Sequence, residues 1–494
     1  MARSVQEEMQ NKANATIPTL HRENDWRVFL ITSIGVFIVF MNMTTMDVAL
    51  PSIVRYFSAT PTQASWILLG FMVVNTVMIL AFGRLADIWG RKPLYLWGIG
   101  LFTVGSLLCG LAPSADWLIA FRVIQAIGAA SIFTNNSALL ADAFSAHRLP
   151  KVLGLNASIA AASSVCGPLI GGAMVAAFDW RVLFFFNVPF GIVSLVFGPR
   201  VLRRHPSAAK GERFDVLGML LSSLALGGLI FALSEGGMLG WTSTLVLAAF
   251  LVALVSGVAF VLAQLHRRHP LVDFALLRDR RLVLAYYASF GVAMLQVSVV
   301  LLLSLFLQAA RDLNALQAGA RIMPLAAGLM VTAFFAGRLM GRVSGHVLAA
   351  AGNALTCVSM LGLLLSLSHT DDHLALLVWM CLGGAGIGLF MTPNTAAILG
   401  GVPSERRGIA NGLRSMMQNC GFVMGTALSL AIITGPLSAV GKNAIYSGNR
   451  AALDEVQVAL FLGQYRAAFI ALAIVAASCS VATLMRGPTP ATKP

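Results

Sequence analysis

Apolar runs of about 20 residues, the length that carries an α-helix across a hydrocarbon core of about 30 Å, follow one another along most of the chain. Short polar segments rich in arginine and glycine separate them. The pattern predicts fourteen spanning helices. Six lie at 28–48, 64–82, 94–112, 116–140, 152–177 and 181–201. Two more, 215–235 and 241–264, flank a turn containing Gly236, Gly237 and Gly240. The last six are 283–309, 317–338, 345–368, 373–400, 407–434 and 465–486. The short alternating segments of a membrane β-barrel are missing. The longest connection, 435–464, has room for a small hairpin of its own.

A repeat underlies the pattern. Adding 254 to Gly83, Arg84 and Leu85 gives Gly337, Arg338 and Leu339, and the same offset lays Gly154, Cys166, Gly167 and Gly171 on Gly408, Cys420, Gly421 and Gly425. A slightly larger offset lays Thr134 and Asn136 on Thr392 and Asn394. Helices 1–6 and 9–14 are therefore expected to form two parallel halves with a substrate path between them at mid-membrane. Helices 7 and 8 are an insertion.

Composition agrees with this reading. Of 494 residues, 58% are hydrophobic and 11% charged, and the mean hydropathy is +0.81, which excludes an ordinary soluble protein. The net charge of +14 raises the question of nucleic acid, but the basic residues fall in alternate loops. One side carries Arg84/Arg91/Lys92, Arg148/Lys151, Arg200/Arg203/Arg204/Lys210/Arg213, Arg267/Arg268/Arg278/Arg280/Arg281, Arg338/Arg342 and Arg406/Arg407; the other has chiefly Arg55, Arg181, Arg311, Arg321, Lys442, Arg450 and Arg466. That is the positive-inside distribution. It places both ends in the cytoplasm and leaves nucleic-acid binding superfluous. The first 25 residues are polar and include Glu7, Glu8, Glu23 and Asp25, unlike a signal or transit peptide. The six cysteines lie inside apolar runs without metal-site or disulfide spacing, and they read as small packing residues.

The charged stretch between the second and third runs is Gly83–Tyr95, GRLADIWGRKPLY. Gly83 and Gly90 let two helix ends approach, and Asp87 lies at the negative end of a helix, where the macrodipole disfavours it. It needs compensation nearby. The pattern G-x-L-x-D-x-x-G-R-K resembles the loop between helices 2 and 3 of the major facilitator superfamily, with every defining position filled. With its fourteen runs and its repeat, nearly the whole chain resembles the 14-helix drug:proton antiporter branch. The resemblance implies an all-α integral membrane protein with two pseudo-symmetric six-helix bundles and two inserted helices. The expected divisions are a cytoplasmic segment 1–27, an N-terminal bundle 28–201, basic linkers with the inserted helices 202–282, a C-terminal bundle 283–486 and a cytoplasmic tail 487–494. It also implies that Gly83, Asp87, Gly90, Arg91 and Lys92 form a latch, with Asp87 and Arg91 reaching the start of helix 13. The second copy, GRLMGRVSGH from Gly337, has Gly341 in the place of Asp87.

A charge at the centre of a spanning helix costs about 2.5–3.5 kcal/mol and needs a purpose. The candidates are Asp47 in helix 1, Arg122 in helix 4 and Arg414 in helix 13, with Asp142 and Glu235 at helix ends. Asp47 and Arg122 each lie about five residues, roughly 7 Å, from the same membrane face. They are expected to pair, with protonation of Asp47 releasing Arg122; a static ion pair between helices 1 and 4 fits the same residues. Gln125 and Asn136 follow Arg122 on one helical face, and Asn411, Arg414 and Gln418 form a matching stripe. With Asn42, Asn156, Gln296 and Asn394 they are the expected lining of a wet cavity. Each amide could instead make an interhelical hydrogen bond worth about 1 kcal/mol.

Three further stretches bear on mechanism. LIAFRVIQAIGAA around Arg122 resembles the helix 4 motif of the superfamily, with Ala126 where glycine is usual. SSVCGPLIGG, residues 163–172, resembles the antiporter motif of its exporters. There Pro168 bends the helix while Gly167, Gly171 and Gly172 bare a face for close packing, which makes a hinge and seal. In helix 1, FMNMTTMDVALP departs from the branch's L-D-x-T-x-x-N-V-A-L-P pattern: Asn42 stands at the acid position and Asp47 at the Asn position. The five-residue shift is about 7.5 Å along and 140° around the helix. With one candidate carboxylate, a neutral or lipophilic monocationic substrate fits better than a divalent one.

The expected function is a proton-coupled multidrug efflux transporter exporting small amphipathic compounds by alternating access. The alternative is export of one metabolite such as a siderophore, amino acid or sugar. The glycine-containing GPLSAVGKN at 435–443 has the wrong spacing for a phosphate loop, so the proton gradient is the expected energy source, without cofactor or metal. The histidines all lie at loops or helix ends, which argues against an enzyme or sensor. The expected partners are small amphipathic or cationic molecules, protons and the lipid bilayer, with the chain a monomer in a bacterial cytoplasmic (inner) membrane. Met and Phe residues are expected to supply an adaptable apolar cavity.

Overall fold

The structure, a computed structural model, describes residues 25–144, 148–203, 215–266, 277–340, 342–366, 373–402, 407–449 and 455–487. Within those, the side chains of Arg84 and Asp87 are outside the description, as are Gly341, the N-terminal segment to residue 24, most of both basic linkers and the tail from 488. The first half comprises α1 (Trp26–Phe57), α2 (Pro61–Trp89), α3 (Arg91–Gly110), α4 (Ala115–Ala143), α5 (Leu149–Ala177) and α6 (Val182–Val201). The insertion is α7 (Val216–Leu239) and α8 (Thr244–Leu265). The second half is α9 (Arg280–Ala309), α10 (Ala315–Leu339), α11 (Gly345–Ser366), α12 (His373–Gly400), α13 (Arg407–Thr434), a short α14 (Ala439–Ser447) and α15 (Glu455–Arg486). Among the described residues, 14 helices are long and apolar enough to cross a membrane. An even number of crossings puts the start of α1 and the end of α15 on one face, here called terminal, and α14, between α13 and α15, on the opposite, distal face.

Helix starts repeat between the halves. At α2, Thr60 Oγ1 accepts from the Gln63 N–H while the Gln63 side chain accepts from the Thr60 N–H. At α10, Asn314 and Gln317 do the same. This reciprocal cap satisfies two otherwise orphan donors, and its two copies stand 254 residues apart, the offset of the sequence repeat.

Two helices depart from the hydropathy reading. α1 continues through Pro51 to Phe57, well beyond the expected end at 48, because its polar last turns pack under the distal connection. α15 begins ten residues before the expected 465. Among its described residues the connection holds, in place of a hairpin, the nine-residue helix α14, capped by Gly448 at φ +62°. It closes the distal face. Arg55 Nη1 donates to the Ser447 carbonyl at 2.9 Å, and Tyr446 shares a 2.7 Å hydroxyl bond with Ser65. Burial pushes the Tyr446 phenol well above its usual pKa, which keeps it a neutral hydrogen-bonding group.

One apolar cluster crosses between the halves on the distal side. It joins Leu50, Ile53 and Leu68 of the first half to Leu301, Leu302, Leu305, Ile433 and Leu437 of the second. Toward the terminal face, among the described residues, Phe29, Leu140, Phe144 and Val152 form one cluster in the first half, and Leu282, Tyr286, Ile398 and Leu413 form another in the second. The halves are sealed distally. α7 packs on α8 and also on α2 and α13, where Ile230, Leu226 and Leu233 join Met72, Phe422 and Val423. α8 leaves Leu247, Leu251, Leu254, Val255 and Val258 exposed, a surface suited to lipid.

Candidate functional site

Arg122 is buried at the centre of the first half. Its Nη1 donates to Asn42 Oδ1 at 2.8 Å and Gln125 Oε1 at 3.2 Å, and its Nε donates to the Ile67 carbonyl at 3.1 Å. The guanidinium lies 4.5 Å from the Phe71 ring centroid, within cation–π range. Gln125 Nε2 in turn donates to Ser106 Oγ at 2.8 Å. One side chain thus ties α1, α2, α3 and α4 together.

The expected Asp47–Arg122 ion pair is not formed, and Asn42 takes its place. The longer α1 explains this. Asp47 lies ten residues from the distal end of α1 and Arg122 seven from that of α4, about 15 Å against about 10 Å at 1.5 Å per residue. Asn42, 140° away around the helix, faces the arginine instead. We expect Arg122→Met to lower the thermal unfolding midpoint in detergent and cut folded yield, since it strands Asn42 and Gln125 at about 1–3 kcal/mol each. Unchanged unfolding would show that these bonds contribute nothing to the fold.

Asp47 points elsewhere. It lines a cavity of about 660 Å³, open side included, between the halves. Most of the wall is apolar: Phe40, Met43, Met72, Val297, Ile322 and Phe422 are among its residues. The polar exceptions are Thr44, Asp47, Ser164 and Gln296. Asp47 Oδ1 is buried without a hydrogen-bond partner. The α1 backbone is clamped at this level, since Ser304 Oγ donates to the Asp47 carbonyl at 2.9 Å and Gln308 Nε2 to that of Val48 at 3.3 Å. The carboxyl group is held in place by its main chain while Oδ1 stays available.

A second hollow of about 290 Å³, open side included, shares Gln296 with the first and continues along the second half toward the terminal face. Ser289, Asn394, Arg414 and Gln418 line it. Of the expected cavity residues, then, Gln296, Asn394, Arg414 and Gln418 face these hollows. Asn42 and Gln125 are taken up by Arg122, Asn411 accepts from Arg414 Nε at 3.0 Å, and Asn136 Nδ2 donates to Asn156 Oδ1 at 2.7 Å between α4 and α5. Sequence reasoning missed the Ser304 and Gln308 clamp, and also the bond between Asn75 and Asn419 at 3.2 Å that joins α2 to α13. Asn419 directly follows Gln418, so the second stripe held a readable signal.

The glycine face of α5 is divided between two partners. A Cβ on Gly167 or Gly171 would strike Thr44 or Thr45 of α1, whereas one on Gly172 would lie 2.5 Å from the Ala315 carbonyl of α10. From the other side, Gly319 of α10 sits against the Pro168 carbonyl. Pro168 also lacks the N–H that would bond the Ser164 carbonyl, and Ser164 is a cavity residue. At the terminal face Gly90 turns the chain at φ +91°. Gly83 has room to spare, with Thr134 Cγ2 at 3.7 Å from a built Cβ. Arg91 Nη1 donates to Asp142 at 2.5 Å and to the Ala138 carbonyl at 3.2 Å, both in α4; the side chains at the start of α13 lie outside the described residues. Lys92 Nζ bonds the Pro199 carbonyl at 2.7 Å and that of Leu202. Among the described residues, both cations find partners in their own half.

Comparison with known proteins yields a consistent set. The family model described as Major Facilitator Superfamily matches residues 32–426 and 326–494. The chain is similar to the multidrug resistance protein Stp of Mycobacterium tuberculosis, 33% identical over 412 residues that make up 83% of this chain and 76% of that protein. It is similar to the methylenomycin A resistance protein of Bacillus subtilis, 29% identical over 407 residues, 82% of this chain and 87% of that protein. Among solved structures, a bacterial homolog of the human lysosomal transporter Spinster, inward-facing and unoccupied, shares the fold with a TM-score of 0.64. The identity there is 17%, with 94% of this chain and 98% of that one covered.

Proposed function

The chain belongs to the major facilitator superfamily, and from that premise we propose that it exports small amphipathic compounds in exchange for protons. It is a multi-pass membrane transporter of small molecules and not an enzyme. The observation that carries the finer reading is Asp47: one carboxyl group with an unpartnered buried oxygen, on the wall of a wide apolar hollow between the halves. A proton on that oxygen removes a charge from the hollow and so changes the relative stability of the closed and open arrangements. Substrate with an apolar body competes for the same space. The resistance proteins named above support drug export over uptake of a nutrient.

On this reading the terminal face is cytoplasmic, the membrane is the bacterial inner membrane, and the chain works as a monomer without a cofactor. The membrane potential supplies about 2.3 kcal/mol per proton charge per 100 mV, enough to drive one turnover per proton. The test uses everted membrane vesicles acidified by respiration, with a pH-sensitive dye inside. Adding hydrophobic dyes or antiseptics one at a time is expected to release part of the proton gradient in vesicles carrying the protein and not in empty ones. Release by a single metabolite and by nothing else in the panel would replace multidrug export with dedicated export. Accumulation that persists at full rate with a protonophore present would rule out proton coupling.

A further inference from the structure

We propose that the second-half wall of the crevice is an anion subsite centred on Arg414, which takes the acidic head of a compound whose apolar body lies in the hollow beside Asp47. The inference rests on the transport reading above and names the chemical class of its substrate: an amphipathic organic acid. It changes the expectation of a neutral or monocationic substrate.

Arg414 is only partly buried and lines the hollow directly. Its hydrogen-bond partners are Asn411 Oδ1, Gln418 Oε1 at 3.0 Å and Ser415 Oγ at 3.5 Å. All three are neutral acceptors on its own helix, at positions −3, +4 and +1. They fix the guanidinium in orientation without cancelling its charge. A guanidinium has five N–H donors; three are engaged here, which leaves two for whatever occupies the hollow. A planar pair of donors fits a carboxylate better than a point charge would.

The surroundings reinforce the sign. The acidic residues of the second half, Asp312, Asp371, Asp372, Glu405, Asp454 and Glu455, all lie at helix ends or in connections. Among the described residues, none is within ion-pair distance of Arg414. A second buried arginine, Arg486, donates from Nη1 to Asn394 Oδ1 at 2.6 Å, and its Nε and Nη2 have no partner. Asn394 lines the same hollow. Two guanidinium groups with no carboxylate beside them among the described residues are expensive to keep in a spanning bundle. A substrate anion offsets that cost when it binds. Across the crevice the first hollow, reached past Gln296, provides the apolar walls for the rest of the molecule.

The test measures binding alone, so it stands or falls separately from proton coupling and from direction of transport. The full chain in nanodiscs of zwitterionic lipid is equilibrated with 9-anthroate, a fluorescent aromatic carboxylate, and with its uncharged methyl ester, with empty discs subtracted. The wild type is expected to hold the acid at least about tenfold more tightly than the ester, as a charge-assisted bond permits. In Arg414→Gln the acid should fall to within about twofold of the ester, and Arg414→Lys should lie between. Equal affinities for acid and ester in the wild type would overturn the proposal without any variant having to fold. So would an Arg414→Gln protein that binds the acid unchanged. Discs containing phosphatidylglycerol distinguish two sources of the anionic head. A lipid headgroup in the subsite weakens the probe there, whereas a soluble acid as the natural occupant leaves it unaffected.

Discussion

Asp47→Asn is expected to abolish uphill, proton-driven efflux while leaving membrane insertion and thermal unfolding close to those of the wild type. Asparagine has nearly the same shape as aspartate, and the clamp on this part of α1 uses main-chain carbonyls of Asp47 and Val48, which the substitution keeps. What disappears is the exchangeable proton. A gradient biases a two-state cycle only through a ligand with different free energies in the two states; without a titrating group in the hollow, the proton ceases to be such a ligand. Downhill movement of substrate should therefore persist, and accumulation against a gradient should fall by at least about tenfold, the ratio that 1.4 kcal/mol of lost bias produces. Asp47→Glu, which retains the carboxyl group, should recover part of the activity. The measurement is substrate accumulation in everted vesicles with and without an imposed pH gradient. Wild-type accumulation in Asp47→Asn would remove this residue from energy coupling.

The number and order of the spanning helices were legible from hydropathy because lipid leaves little choice: an apolar run of the right length must satisfy its backbone internally. The repeat was legible too, and its offset reappears in side-chain bonding, at the paired caps of Thr60 with Gln63 and Asn314 with Gln317. Helix ends were less so. Hydropathy stops counting α1 where Pro51, Ser52 and Arg55 begin, yet those residues stay helical because the distal connection covers them and Arg55 finds the Ser447 carbonyl.

Side-chain partners were the least legible part of the site. Spacing along α4 put Gln125 and Asn136 on the face of Arg122, but it could not say whether that face met water or another helix. Both proved to be taken by neighbours, Ser106 and Asn156. The exchange of acid and amide in helix 1 was visible as a departure from the family pattern. Its consequence depended on rotation: position 42 faces the arginine and position 47 the hollow, so an amide serves as the structural acceptor and the acid is left free. The apolar walls from Phe40, Met72 and Phe422 were readable only as a surplus of such residues, since composition carries no address.

Gly319→Val is expected to hold the distal face open and stop transport. In the described arrangement α5 and α10 meet backbone to backbone. A Cβ at 319 would strike the Pro168 carbonyl, and one at Gly172 would lie 2.5 Å from that of Ala315. Neither carbonyl can swing away as the end of a flexible side chain could. Overpacking of this kind costs about 1–3 kcal/mol, and the cost falls only on the state in which the two helices touch. The equilibrium should therefore move away from distal closure by about tenfold to a hundredfold. Hydrogen exchange followed by mass spectrometry reads this directly: amides of 172–181 and 310–319 should exchange faster in the variant, while those in the interior of α3 and α4 keep their wild-type protection. Gly337→Ala is the control, because a Cβ there meets nothing within 4 Å. Faster exchange throughout the chain would mean general unfolding, and Gly319→Ala then supplies the milder contrast. Unaltered exchange at both distal segments, together with full transport by Gly319→Val, would show that the two halves separate without any need for these helices to touch.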